Sequence, residues 1–297
     1  MITLKQVLTF PGRILILAQK KLIVQTAGEK VQSLYQVEHI SDIYSPILNR
    51  ATVVDVFIPP SYSFGTNNYP FLVLNDGQDS ESVRLKSTLS RLIRQEQFFE
   101  PLVFSIHAGN RIQEYGVAAQ SDFKKRGSLA KAYSSFLMEE FLPLAASRFR
   151  IDIFGSNNAI AGYSLGGLSA LDIGWNYPEV FKKIGVFSGS LWWRSKGYNE
   201  GYTDEMDRII HSQVRADAFR PGLKFWFQTG TQDERADRNA NEIIDSIDDT
   251  LDLIAELVKK GYRPYRDIEY LEIKGGHHNQ KTWAKAMPYF LKWAFFF

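Results

Sequence analysis

The segment of this sequence whose spacing most directly implies chemistry is Gly162-Tyr163-Ser164-Leu165-Gly166-Gly167. A short apolar run, Ala159–Gly162, precedes the serine, and a helical pattern, Leu165–Trp175, follows it. A strand that turns into a helix at one serine needs glycine on both sides, because a Cβ there would strike the neighbouring strand or helix. The serine is lifted to the apex in a strained conformation, next to a helix N-terminus that favours negative charge. A hydroxyl so placed is a candidate nucleophile. The backbone N–H of Leu165 is then one donor for the oxyanion formed when that hydroxyl attacks a carbonyl. The alternative is a glycine-rich turn without chemistry, and the flanking strand and helix favour the nucleophile.

A serine hydroxyl needs a base, and the base needs a carboxylate to orient it. Along the chain the expected order is serine, acid, histidine. Of the five histidines (His39, His107, His211, His277 and His278), three follow Ser164. His211 lies in the helical run IIHSQV and reads as a surface or packing residue. His277 and His278 follow a strand and Gly275-Gly276, a loop placement suited to a base. Adjacent histidines also suggest a metal, but zinc needs at least a third ligand, and His107 qualifies by location only. No metal and no cofactor are expected. The acid is expected just after the strand Leu223–Gln228, where Asp233, Glu234 and Asp237 fall, with Asp233 first. A second oxyanion donor belongs to the loop after an earlier strand, and NDGQD at Asn75–Asp79 reads equally as an ordinary turn or as the source of that donor, the N–H of Gly77 or Gln78. DSIDDTLDL reads as a solvated helix face.

These residues must be carried by a scaffold, and its pattern is legible. Compact apolar runs at Phe71–Leu74, Leu102–His107, Ala159–Gly162, Ile184–Phe187, Leu223–Gln228 and Ile268–Ile273 alternate with helical stretches at Ser80–Phe99, Ser128–Phe149, Leu165–Trp175, Glu242–Lys260 and Lys281–Trp293. Such alternation predicts an α/β fold, a mostly parallel central sheet with helices on both faces. Ligands bind such sheets beyond the carboxyl ends of the strands, where this chain carries polar and glycine-rich sequence. Upstream, ATVVDVFIPPSY reads as a strand entering a turn, and Arg13–Leu17 and Leu22–Gln25 as short strands.

Composition narrows the function classes. The 297 residues are 44% hydrophobic and 23% charged, as in an ordinary globular protein. A net charge of +2 gives no case for nucleic acid or acidic lipid as partner. The absence of cysteine excludes thiol nucleophiles, thiolate metal sites and disulfides. No apolar run reaches the ~18 residues of a membrane span, and Pro11, Gly12 and Arg13 interrupt any signal peptide. The expectation is a soluble, cytoplasmic protein with a small-molecule partner and no membrane or nucleic-acid contact; its oligomeric state is not legible. One domain over residues 1–297 is expected, with 1–50 as an N-terminal strand extension and 51–297 as the core.

The pieces VFIPPSY, LNDGQD, NRIQEYG, FLMEEFLPLAASRFRID, AGYSLGGLSAL, YPEVFKKIGVFSGSLWW, GTQDE and GGHHNQKTW, in this order, resemble the putative-esterase branch of the α/β-hydrolase superfamily. That branch includes esterase D, feruloyl and acetyl-xylan esterases and the enterochelin esterases. The resemblance covers Thr52 to Phe296. It implies an α/β-hydrolase fold and a serine esterase working through a Ser-His-Asp triad and an acyl-enzyme. Ser164 matches the family nucleophile and Asp233 the acid, with Glu234 the neighbouring alternative. The family histidine commonly stands five residues before a tryptophan, which with Trp283 selects His278 over His277. SGSLWW implies that Trp192 and Trp193 lie near an acyl or aromatic pocket, or else plug the core. Arg111, Glu114 and Tyr115 match a mainly structural loop. The implied substrate is a siderophore, feruloyl or acetyl-carbohydrate ester. Enterochelin esterases usually carry an added N-terminal domain, a departure here, where only residues 1–50 precede the core. Acyl transfer on the same triad, thioester or peptide cleavage, and a non-catalytic binding module are the rival expectations.

Overall fold

The computed structural model describes residues 34–95 and 98–296. The strands expected at Arg13–Leu17 and Leu22–Gln25 lie outside the described residues. One eight-stranded sheet organises the rest. Its strands are β1 (Gln36–Ser45), β2 (Arg50–Ile58), β3 (Phe71–Asn75), β4 (Leu102–Ile106), β5 (Ala159–Tyr163), β6 (Lys183–Phe187), β7 (Lys224–Gln232) and β8 (Ile268–His277). Their order is β1-β2-β4-β3-β5-β6-β7-β8. The β1–β2 and β2–β4 pairs are antiparallel, and every pair from β4–β3 to β7–β8 is parallel. This is the mostly parallel sheet the alternation predicts.

The helices are α1 (Leu85–Leu92), α2 (Arg111–Glu114), α3 (Ala130–Ser135), α4 (Leu142–Arg148), α5 (Leu165–Asn176), α6 (Asp204–Asp207), α7 (Ile209–Ala216), α8 (Asp245–Lys260) and α9 (Gln280–Phe295). Successive strand residues point to opposite faces, so the central strands feed two cores. Leu72, Leu74, Ala159 and Ala161 pack with Leu85 and Leu89 of α1 and Met287 and Phe290 of α9. Phe71, Val73 and Ile160 pack on the other face with Leu168 and Leu171 of α5 and Leu253 and Leu257 of α8. Both faces are therefore helix-covered, which is why β3 to β6 read as unbroken apolar runs.

Several details depart from the sequence expectation, among them that DSIDDTLDL is not a solvated face, since Asp245, Ser246, Ile247, Asp249, Thr250 and Leu253 are buried in α8. β1 was not foreseen: it is an edge strand whose burial pattern is mostly exposed, so it carries little apolar signal. The helix expected over Ser80–Phe99 is confined, among the described residues, to Leu85–Leu92. β7 and β8 run past their apolar cores, to Gln232 and His277. Glycine permits this extension: a Cβ at Gly230 would lie 2.4 Å from the carbonyl oxygen of Gly276 on the neighbouring strand. His277 thus belongs to a strand, and His278 is the first residue beyond it. Among the described residues no helix is long and apolar enough to cross a membrane.

Candidate active site

Ser164 links β5 to α5 with φ 54° and ψ −119°, a left-handed strain that a non-glycine residue adopts only when its surroundings over-determine it. The surroundings do so. The Ser164 N–H donates to the Phe187 carbonyl at 2.9 Å, and the Ser164 carbonyl accepts from Gly167, Leu168 and Ser190. A Cβ at Gly162 would lie 2.3 Å from the Gly166 oxygen, and one at Gly167 would lie 2.9 Å from the Gly162 oxygen. The glycines are thus required by close backbone approach, as their spacing implies. Leu165 and Gly166 open α5, where N–H groups lack intrahelical acceptors.

The loop after β3 clamps this turn from the side. Asn75 donates through Nδ2 to the Gly166 carbonyl at 2.8 Å and accepts from the Tyr133 hydroxyl at 2.7 Å. Asp76, left-handed at φ 63°, accepts a two-pronged bond from Arg111, Nε to Oδ1 at 2.7 Å and Nη2 to Oδ2 at 2.9 Å. Arg111 also donates to the Tyr163 carbonyl at 3.2 Å. Asp76 occupies the space beside Gly166, whose Cβ would lie 2.6 Å from Asp76 Oδ2. Sequence reasoning missed Asn75 and Asp76 and read Arg111 as structural. NDGQD and NRIQEYG held the signal, but nothing along the chain pairs them.

Gly77 and Gln78 begin a short 3-10 turn over Gly77–Asp79. Gly77 is required against β4: a Cβ there would lie 2.5 Å from the Ser105 oxygen. The Gln78 side chain donates to Asp76 Oδ1 at 3.0 Å and accepts from the Ala108 N–H at 3.1 Å. Neither residue is in the wall of the cavity that contains Ser164.

That cavity, of about 340 Å³, holds Ser164, Leu165, Asp233 and His278 together. His278 sits between β8 and α9, at a junction fixed by Asn279, whose side chain accepts the Thr282 N–H at 3.1 Å as an N-cap. Its ring meets Trp283 edge-on, with centroids 5.4 Å apart. Trp283 in turn stacks on Tyr163 and donates from Nε1 to Ser188 Oγ at 3.1 Å. Burial and the Arg111 cation hold the His278 pKa below the ordinary imidazole value, against the opposing pull of Asp233. Asp233 accepts the Gly230 N–H at 3.0 Å through Oδ2. Burial raises its carboxyl pKa, opposed by Gly230, the Ser188 hydroxyl and the imidazoles of His278 and His277. The Ser164 hydroxyl itself bonds Ser190 Oγ at 3.2 Å.

The neighbouring candidates meet different groups. Glu234 also lines the cavity, but its carboxyl is raised by burial and by Asp245 and Asp249, and its hydrogen-bonding neighbour is Ser246. Asp237 accepts backbone N–H groups of Asn241 and Glu242 within its own loop. His277 is outside the cavity wall, and its N–H donates to Thr282 Oγ1. His211 is fully buried in α7, its Nε2 2.8 Å from the Asp249 carbonyl, and burial pushes its pKa down to about 3, so it is a packing residue. His107 pairs with Asp55, which also holds His39, each at 2.7 Å. It therefore does not join His277 and His278, and among the described residues no group of His, Asp or Glu is arranged to hold a metal ion.

The tryptophans divide. Trp192 is half-buried in the cavity wall, with the Arg126 guanidinium 4.9 Å from its ring centroid and that guanidinium forked onto Asp122. Trp193 is a correction to the expected substrate-contacting pair: it is fully buried, packed against Gly116 and Gly127, and forms no part of the wall. The two rings still touch, with centroids 5.8 Å apart, and the Arg126 guanidinium lies over both.

Comparison with known proteins agrees with this architecture. The family model described as Putative esterase matches residues 45–294. The uncharacterized protein YbbA of Bacillus subtilis (strain 168) is 25% identical over 244 residues, covering 81% of this chain and 91% of that protein. Among solved structures, a ferulic acid esterase superposes with a TM-score of 0.67 at 18% identity, over 89% of this chain and 98% of that one. The enterobactin esterase FES from Shigella flexneri, in the presence of enterobactin, superposes with a TM-score of 0.66 at 21% identity. That match covers 87% of this chain and 58% of the other, so this chain spans under two thirds of that neighbour.

Proposed function

The chain belongs to the putative esterase family and is an esterase, and on that premise we propose that it hydrolyses carboxylic esters through an acyl-enzyme on Ser164, with His278 as base and Asp233 as its orienting acid. The observation that carries the reading is the single cavity shared by a strained Ser164 and the His278–Asp233 pair. His278 takes the Ser164 proton as the oxygen attacks the ester carbon. Asp233 favours the imidazolium that results. The lowered pKa of His278 keeps the base unprotonated near neutrality, where it can accept that proton. The tetrahedral oxyanion is bound by the Leu165 N–H in the cavity wall, whereas the second donor expected from Gly77 or Gln78 stands outside that wall and is not given this role. The alcohol leaves with the proton from His278. Water then attacks the acyl carbon, and His278 again serves as base.

The substrate proposed is a small ester with an aromatic, siderophore-like or acetylated-sugar part, met in the cytoplasm. Support comes from the Trp192 ring in the cavity wall, which can stack on a planar or sugar face, and from neighbours named ferulic acid esterase and enterobactin esterase. Fluorophosphonate labelling with peptide mapping tests the nucleophile. Label on Ser164, abolished in Ser164→Ala, is expected, and full ester turnover by Ser164→Ala refutes the assignment. A panel of acetyl, feruloyl and siderophore esters then ranks the substrates.

A further inference from the structure

The turn after β6, Ser188-Gly189-Ser190, is joined to the nucleophile turn in both directions. Ser164 donates its N–H to the carbonyl of Phe187, and Ser190 donates its N–H to the carbonyl of Ser164, at 2.9 and 3.0 Å. Ser188 is anchored further by its N–H on the Gln228 carbonyl at 2.7 Å and adopts φ 44°. Gly189 admits no side chain, since a Cβ would lie 2.5 Å from Val186 Cγ1. Ser190 is thereby fixed to the frame of Ser164 rather than carried on a loose loop. It is 2% exposed and lines the cavity. The hydrogen bond of its hydroxyl, among the described residues, is the one to Ser164 Oγ at 3.2 Å. Buried serines elsewhere bond a carbonyl, as Ser134 does on Ala130, or another serine, as Ser80 does on Ser105; the partner of Ser190 is the oxygen of Ser164 itself.

We propose that Ser190 is a further catalytic residue, its hydroxyl donating a hydrogen bond to Ser164 Oγ in both halves of the reaction. The inference rests on Ser164 being the nucleophile. During acylation the Ser190 O–H occupies one lone pair of Ser164 Oγ, which leaves the Ser164 proton to point at His278. The Ser164 proton passes to the imidazole, the Oγ–C bond forms, and the carbonyl π pair moves onto the carbonyl oxygen. During deacylation Ser164 Oγ is the leaving group. The Oγ–C bond breaks with its electron pair on Oγ, the Ser190 hydrogen bond stabilises that developing charge, and His278 returns the proton. Ser190 keeps its own proton throughout.

The competing role is a parking contact that turns Ser164 away from His278, and it predicts the opposite sign. The full-length Ser190→Ala and Ser190→Cys variants separate the two, because alanine removes the donor and cysteine keeps the side-chain shape, with a slightly larger sulfur that is only a weak donor. The measurements are kcat and KM on p-nitrophenyl acetate, the rate of fluorophosphonate labelling with peptide mapping, and thermal unfolding. The expected result is a kcat about ten- to a hundred-fold lower, the range for losing a hydrogen bond to a charged oxygen, with KM nearly unchanged. The labelling rate falls in parallel, and the cysteine variant falls in the same direction. A kcat equal to or above that of the parent in either folded variant overturns the proposal. Label mapping to Ser164 in the parent with no loss in the variants refutes the role of Ser190 alone. Label mapping elsewhere in the parent refutes the nucleophile and this inference with it.

Discussion

Gly162→Ala should cripple the enzyme through the backbone alone. The new methyl carbon would lie 2.3 Å from the Gly166 oxygen, 2.4 Å from the Gly166 carbonyl carbon and 2.9 Å from the Gly167 nitrogen. All three are backbone atoms of the first turn of α5, so no side chain can rotate away. Restoring a contact of about 3.5 Å requires that turn to retreat by about 1 Å. Such overpacking costs about 1–3 kcal/mol of stability. The larger effect falls on chemistry, because the same turn carries Ser164 and the Leu165 N–H, and a misplacement of about 1 Å costs roughly a hundredfold in rate. The assay is kcat/KM on p-nitrophenyl acetate beside a urea unfolding curve. Gly222→Ala is the control: its φ is 85° with nothing within 4 Å of the added carbon. It should lose about 1–2 kcal/mol to the left-handed conformation and keep its activity. A Gly162→Ala enzyme with the parent kcat/KM would refute the close-approach reasoning.

Other perturbations have signs that follow from charge and burial. With His278 as base, activity falls as pH drops through its pKa, so the acid limb of kcat/KM should lie below the ordinary imidazole value of about 6.5, since burial and Arg111 depress it. Arg111→Met removes one depressing charge and leaves Asp76 uncompensated, so the limb should move to higher pH; movement to lower pH would contradict the assignment. Ser188→Ala withdraws a hydroxyl that favours the Asp233 carboxylate, so acid inactivation should begin at a higher pH than in the parent. Asp172 is buried in α5, and burial raises its pKa to about 6. A raised folded-state pKa stabilises below the unfolded value and that stabilisation is lost as pH rises through the folded value, so the parent should gain roughly 2 kcal/mol relative to Asp172→Asn between neutral pH and pH 4 in denaturant titrations.

Much of the molecule could be read from the chain because its signals are local. The apolar runs of β3 to β6 mark strands covered on both faces, and the glycines around Ser164 mark a turn that only glycine can make. The order of serine, acid and histidine along the chain narrowed the partners to a few residues. β1 escaped because an exposed edge strand needs few apolar residues. The groups that neighbouring residues meet were also out of reach. Asp233 and Glu234 differ by which group each meets, an imidazole or Ser246 of α8, and Trp192 and Trp193 differ by which one the chain turns toward the cavity.

The amino-acid order by itself determined the strand–helix rhythm, the serine at the strained turn and the short roster of possible partners, since each depends on a residue's own shape and its near neighbours. Only the tertiary structure decided that Arg111 grips Asp76, that Ser190 meets Ser164 and that Trp193 belongs to the core. Those contacts join residues many positions apart, and their geometry is set by how the sheet and its covering helices pack, which no periodicity along the chain encodes.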